Sequence, residues 1–403
     1  MIVKHNLKVF ISLLLLFFIK TSYGVFHPFI FVPGDGGSQV EAKLNKSSAV
    51  HYICGKTSTD YFNIWLNLEL LVPVVIDCWI DNIKLVYNNE TRKTENTPGV
   101  DIRIPGFGGT ETVEWLDPSH ASSGAYFKDI ANELVGLGHV RNVTLKGAPY
   151  DFRKAPNENQ DYFIQLKDLI EKTYNENNQT SVILLAHSMG GPMTQYFLNM
   201  QKQSWKDKYI KSLVALSGAW GGSVKAVKVY AIGDDLGSYV LNQRTMKQEQ
   251  ITNPSLAWLM PSSHFWQKDE VLVETDIKNY TLANIEEYFI DVDYPDGWEM
   301  YKDTQPHSLS LGAPGVEVHC LYGTDVPTVE KLIYKPGKFY DTPSFVNGDG
   351  DGTVNRRSLE GCMSWVKQQK QRVYARPLPK VDHMSILSNP NVLQYIANLV
   401  NTI

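Results

Sequence analysis

The sequence predicts an α/β protein built on a mostly parallel sheet, with a cap inserted into the sheet domain. Three observations predict it. Apolar runs alternate with stretches of helical spacing from residue 28 to residue 216, the rhythm of strand–helix–strand units. The rhythm stops over residues 223–314, which are rich in aromatic residues and turn formers, and resumes at Val316. Near the middle of the chain, Ser181-Val-Ile-Leu-Leu-Ala-His-Ser188-Met-Gly190 is an apolar run that ends in a sharp turn and opens into a helix-like segment.

Composition sets the frame. A chain of 403 residues, 43% of them hydrophobic, can build a large core. Its net charge of −5 offers no basic footprint for nucleic acid, and the acidic balance argues for an acidic compartment. Lys4 and Lys8 precede the apolar run 9–19, and Lys20-Thr-Ser-Tyr-Gly24 follows it, which reads as a signal peptide (residues 1–24) cut near Gly24. A signal anchor is the alternative, for which the run is short. No later run has the roughly 20 uninterrupted apolar residues of a spanning helix, so the mature protein, residues 25–403, is expected to be soluble and lumenal or extracellular. Asn-x-Ser/Thr sequons at Asn45, Asn89, Asn142, Asn178 and Asn279 agree with that compartment and predict exposed positions. Cys54, Cys78, Cys320 and Cys362 are even in number and lack C-x-x-C metal spacing. Of the three possible connectivities, the sequence-local pairs Cys54–Cys78 and Cys320–Cys362 are favoured, because each staples one excursion from a core.

Taken in order, residues 28–32 read as a buried strand followed at once by Pro33-Gly-Asp35-Gly-Gly-Ser38. A Gly-rich turn after a strand lets backbone N–H groups converge on an anion. The Gly-Lys-Ser/Thr of a phosphate loop is missing, which leaves an oxyanion hole made by the N–H groups of Asp35 and Met189, or a plain hairpin turn. Residues 50–90 form an expected subdomain around the first cysteine pair. Within it, residues 61–76 are densely apolar and include Trp65, Leu66, Leu68, Leu70, Leu71 and Val72. Buried, they are a subdomain core; displayed on a stapled loop, they are a membrane-docking surface. Two or three inserted side chains would contribute roughly 5 kcal/mol, a reversible dissociation constant of order 0.1 mM. Both readings stand at this point. Further on, Pro105-Gly-Phe-Gly-Gly109 reads as a loop, residues 126–137 as a helix closed by Gly138, residues 141–153 as a strand leaving into a polar loop, and residues 161–174 as a helix leading to the central strand. Strands follow at 209–216, 316–322 and 371–375, and a late loop carries Asp382-His383.

The chemistry centres on Ser188. Ala186 and Gly190 supply the small flanks of a nucleophile elbow, G-x-S-x-G in its usual form; a capping Ser at an ordinary strand-to-helix turn is the alternative. A serine hydroxyl needs a base to take its proton, and the base needs a carboxylate to fix its tautomer. Ser188, Asp351 and His383 stand in the chain order of an α/β-hydrolase triad. Asp349 is a rival acid. The Asp-x-Asp-Gly around it resembles the start of a calcium loop, but the ligand-bearing remainder ending in Glu is missing. His139 and His319 read as packed histidines, and His187 adjoins the nucleophile but points away from it. Neither metal nor organic cofactor is called for, since proton transfer and oxyanion stabilisation carry such a reaction.

Together, Ile64-Trp-Leu-Asn-Leu-Glu-Leu-Leu71, Asp77-Cys-Trp-Ile-Asp-Asn82, Arg103-Ile-Pro-Gly-Phe-Gly108, Gly147-Ala-Pro-Tyr-Asp151, Ala186-His-Ser-Met-Gly190 and Asp349-Gly-Asp-Gly-Thr-Val354 resemble the lecithin:cholesterol acyltransferase family, and most closely its lysosomal phospholipase A, or acylceramide synthase, branch. The resemblance implies an α/β-hydrolase fold with an inserted cap and a disulfide-closed membrane-binding loop. It implies Ser188, Asp351 and His383 as the triad, Asp35 and Met189 as the oxyanion hole, and membrane docking by residues 61–76. It further implies acyl transfer from phosphatidylcholine or phosphatidylethanolamine to water or ceramide, at a phospholipid surface, by a monomer in the lysosome lumen. A secreted phosphatidylcholine–sterol acyltransferase and an inactive lipid-binding protein are the competing readings. Departures from the family pattern, at Ser217-Gly-Ala-Trp220, at Gly191-Pro192 and at Gly36, border the expected acyl pocket.

Overall fold

A computed structural model describes residues 26–121, 124–237, 241–308 and 312–401; the expected signal peptide lies outside them. Six strands form the main sheet: β1 (Phe29–Val32), β2 (Leu145–Gly147), β3 (Val182–His187), β4 (Ile210–Leu216), β5 (Glu317–Thr324) and β6 (Val373–Pro379). They lie in the order β6-β5-β4-β3-β1-β2, every neighbouring pair parallel. Parallel strands are covered on both faces and read as continuous apolar runs, and β1 and β3 are buried at every residue. Connections from β1 run one way along the sheet and those from β3 the other. The crevice between their carboxyl ends is the topological switch point, where open α/β sheets bind their ligands. Helices Lys128–Gly136, Gln160–Glu176 and Gly190–Asn199 belong to this layer, and Gly138 ends the first of them at a φ of 104°. The sheet, its order and the position of the elbow make this an α/β-hydrolase fold.

Around the first cysteine pair, strands Val40–Leu44, Phe62–Trp65 and Val100–Arg103 form an antiparallel sheet; between the last two of them the chain makes helix Ile76–Ile83 and the hairpin of Leu85–Asn88 with Lys93–Asn96. The unit therefore extends on both sides of the expected 50–90. Cys54 is bonded to Cys78 and Cys320 to Cys362. Buried polar ties lock this unit to the sheet domain. The Arg153 side chain, fully buried, pairs with Asp151 and donates to the Ile83 carbonyl at 2.7 Å and to Asn96 Oδ1 at 3.0 Å.

The apolar segment 61–76 splits between two faces. Leu71, expected on the docking surface, is only 5% exposed and packs in the core with Ile64, Ile76 and Trp79. Trp65, Leu66 and Leu70 are half-buried against the same cluster. Leu68 (46% exposed) and Val72 (46%) face outward, joined by Val74 (61%) of the same segment. Leu71 is thus a core residue because its neighbours on helix Ile76–Ile83 need an apolar partner there.

Residues 223–314 do interrupt the sheet, as helices Val224–Ile232, Gln243–Gln250, Pro254–Trp258, Ile285–Asp291 and Pro295–Ser308 with two short strands, Val273–Glu274 and Asn279–Tyr280. Strand Val273–Glu274 pairs with Thr328–Ile333, which forms a hairpin with Ser344–Gly348. The insertion thus recruits chain from beyond β5, because two-residue strands leave backbone groups that need a partner. It has its own core of Tyr230, Trp266, Tyr288, Phe289 and Leu332. All five sequon asparagines are exposed.

Candidate active site

Ser188 follows directly on β3 with φ at +55°, a left-handed conformation that costs a non-glycine residue on the order of 1 kcal/mol or more. The surroundings hold it there. The Ser188 N–H donates to the Leu216 carbonyl at 2.9 Å, and its own carbonyl accepts from Gly191 and Ala219. Gly190 is required by contact: a Cβ there would lie 2.4 Å from the Pro33 carbonyl oxygen. Gly34 is required for the same reason from the other side, since its Cβ would sit 2.7 Å from Ser188 Cβ. The loop after β1 and the elbow after β3 are therefore pressed together at the switch point.

His383 and Asp351 complete the arrangement. His383 Nε2 lies 2.9 Å from Ser188 Oγ, and His383 Nδ1 lies 2.7 Å from Asp351 Oδ2. Because Asp351 accepts, Nδ1 carries the proton and Nε2 is left to accept from the serine. The other carboxylate oxygen of Asp351 accepts backbone N–H groups of Thr353 (3.0 Å) and Val354 (2.7 Å). Burial opposes ionisation of Asp351, but the His383 imidazole and these N–H groups outweigh it and hold its pKa below the usual carboxylate range. Asp349, the rival, is turned away: it pairs with Arg356 at 2.8 Å and accepts from the Asp325 N–H. Among the described residues no group of three or more His, Cys, Asp or Glu side chains is placed to hold a metal ion. His139 and His319 are packed, against Phe26 and Phe29 and against Tyr374 and Tyr395 respectively.

Among the described residues neither the Asp35 nor the Met189 N–H has a backbone acceptor. Met189 leads into helix Gly190–Asn199, whose N-terminal dipole favours negative charge at the elbow. Asp35 is exposed by its surface area, although the protein atoms crowded around its carboxylate push its pKa up to about 6 against the pull of Lys225. Lys225 itself is 2.7 Å from Asp234. Three residues contact this site in ways the local sequence does not show. Trp65, expected to dock to membrane, donates its indole N–H to the Gly36 carbonyl at 2.7 Å and covers Gly36. Tyr126 and His187 pack beneath Gly34 and Ser188. Their contacts join segments far apart in the chain, so neither periodicity nor motif could reveal them.

A serine hydroxyl, an imidazole with its free nitrogen toward it, a buried carboxylate and backbone N–H groups left without backbone acceptors can together carry acyl transfer. The profile described as "Lecithin:cholesterol acyltransferase" matches residues 61–390. The chain is 45% identical to the lysosomal phospholipase A and acyltransferase of Homo sapiens, over 93% of this chain and 90% of that one. It is 44% identical to the phosphatidylcholine-sterol acyltransferase of Gallus gallus, over 89% and 87%. In structure it is similar to a chain of the crystal structure of the Tle4-Tli4 complex, with a TM-score of 0.53, 14% identity and coverage of 92% and 97%. That likeness speaks to the fold alone. The extent of the profile match and these identities agree: the chain is an esterase-type member of the lecithin:cholesterol acyltransferase family.

Proposed function

We propose that this chain is a serine phospholipase A and transacylase that acts at lipid surfaces in the lysosome lumen. The observation that carries the reading is the contact chain Ser188–His383–Asp351 at the switch point of the sheet, in a chain close to relatives named for this activity. Ser188 Oγ attacks the carbonyl carbon of a glycerophospholipid acyl ester while His383 Nε2 takes its proton. The oxygen that becomes negative lies between the N–H groups of Asp35 and Met189. As the tetrahedral adduct collapses, the C–O bond to glycerol breaks, His383 returns the proton to the leaving oxygen, and lysophospholipid departs. Water, or the primary hydroxyl of ceramide, then attacks acyl-Ser188 with His383 again as base, giving fatty acid or acylceramide and free Ser188. Phosphatidylcholine and phosphatidylethanolamine are the donors proposed.

Leu68, Val72 and Val74 form the docking edge in this reading, on the unit that also holds Trp65 over the oxyanion loop. Residues 223–314, with the strands Thr328–Ile333 and Ser344–Gly348 that pair with them, act as the cap, and the protein works as a monomer. The test is product analysis on phosphatidylcholine vesicles carrying ceramide or cholesterol, at acid and neutral pH, beside Ser188→Ala. Fatty acid and acylceramide at acid pH, absent in Ser188→Ala, are expected. Cholesteryl ester at neutral pH would instead make it a sterol acyltransferase, and no product at either pH would make it a lipid-binding protein.

A further inference from the structure

The acyl-transfer mechanism gives no task to Tyr126 or His187, although both are buried and both bond to the loops that carry it. The Gly34 N–H donates to the Tyr126 hydroxyl oxygen at 3.0 Å. That hydroxyl bonds His187 Nδ1, and His187 Nε2 lies 2.9 Å from the His383 carbonyl oxygen. The partners fix the direction of every proton. A carbonyl only accepts, so Nε2 of His187 carries the hydrogen; Nδ1 must then accept, so Tyr126 gives its O–H; and the tyrosine oxygen takes the Gly34 N–H on a lone pair. His383 is also held at its other side, where its N–H donates to the Asp351 carbonyl at 2.8 Å. Burial drives the pKa of His187 down to about 3, so the imidazole remains the neutral form that this chain of bonds requires at lysosomal acidity.

We infer that Tyr126 and His187 are positioning residues that hold the oxyanion loop and the catalytic base in register with each other. The inference rests on the acyl-transfer reading of Ser188. One end of the relay fixes the peptide of Gly34, next to the Asp35 N–H; the other fixes the backbone of His383, and with it the distance from Nε2 to Ser188. His187 is itself the residue before the nucleophile. A displacement anywhere in the relay therefore reaches both the donor and the base, and reacting groups lose activity steeply with sub-ångström misplacement. Gly37 agrees with this placement, since a Cβ there would lie 2.9 Å from the Tyr126 ring.

The test compares wild type, Ser188→Ala, Tyr126→Phe, His187→Leu and His187→Gln on a soluble p-nitrophenyl ester, with kcat expressed per folded molecule from thermal and circular-dichroism controls. Tyr126→Phe and His187→Leu are expected to lower kcat by about 10- to 100-fold with KM within about threefold. His187→Gln retains an N–H within reach of the His383 carbonyl and is expected to recover most of that loss. Tyr126→Phe added to His187→Leu should cost little more, because both break one chain. Wild-type kcat in Tyr126→Phe and His187→Leu beside an inactive Ser188→Ala, or fully additive losses, would overturn the relay alone. Equal hydrolysis by wild type and Ser188→Ala would overturn the underlying reading and the relay with it.

Discussion

Asp349 and Asp351 stand two residues apart in one Gly-rich stretch, and the fold gives them opposite surroundings. Asp351 is fully buried with its carboxylate on His383, whereas Asp349 is a half-buried partner of Arg356. Asp351→Asn is expected to lower kcat by about 10³- to 10⁴-fold while leaving the chain folded, and Asp349→Asn to stay within a fewfold of wild type; steady-state kinetics on the soluble ester checks both. The three residues of the site were legible because their chain order and the small residues at 186 and 190 are properties of the sequence itself. The choice between the two aspartates was legible only in part, since both satisfy that order. The contacts of Tyr126, His187 and Trp65 at the site were not legible, because each joins a segment at least 29 positions away.

At the scale of elements, the densely apolar segment 61–76 posed a choice between core and surface, and the fold uses it for both. Composition registers how apolar a segment is but not which side chains a short 3₁₀ turn, Leu68–Leu71, sends inward. The two faces make separable predictions. Leu68→Ser with Val72→Ser should leave the thermal midpoint nearly unchanged and weaken vesicle binding by on the order of 100-fold, the loss of roughly 3 kcal/mol of inserted apolar surface. Leu71→Ala should instead destabilise the fold by about 2–5 kcal/mol, as large-to-small core substitutions do. Vesicle co-sedimentation and thermal denaturation distinguish them, and full vesicle binding by the double variant would remove the docking edge. The break in strand–helix rhythm located the insertion at 223–314, but its small sheet is completed by Thr328–Ile333 and Ser344–Gly348, a pairing across β5 that no local pattern encodes.

For the whole molecule, pH acts through buried groups of opposing sign. Burial raises the pKa of Glu249 from 4.5 to about 7. The folded chain therefore holds this proton more tightly than the unfolded one, and its contribution to stability grows as pH falls through that value. Burial lowers the pKa of His139 to about 4 and of His187 to about 3. The unfolded chain then takes up those protons first, and their contribution is lost as pH falls below 6.5. The two effects oppose each other as pH falls from neutral to acid. Glu249→Gln isolates one side: the variant should exceed wild type by up to about 3 kcal/mol near pH 8, with the difference vanishing near pH 4.5. A pH-independent difference in thermal midpoint would contradict this assignment.

The central claim is that Ser188 carries the acyl group. Intact-mass and peptide mass measurement after treatment with a fluorophosphonate tests it most directly. One adduct on the peptide containing Ser188, absent in Ser188→Ala and slowed in Asp351→Asn, is the predicted result. An adduct on another residue, or undiminished labelling of Ser188→Ala, would contradict it.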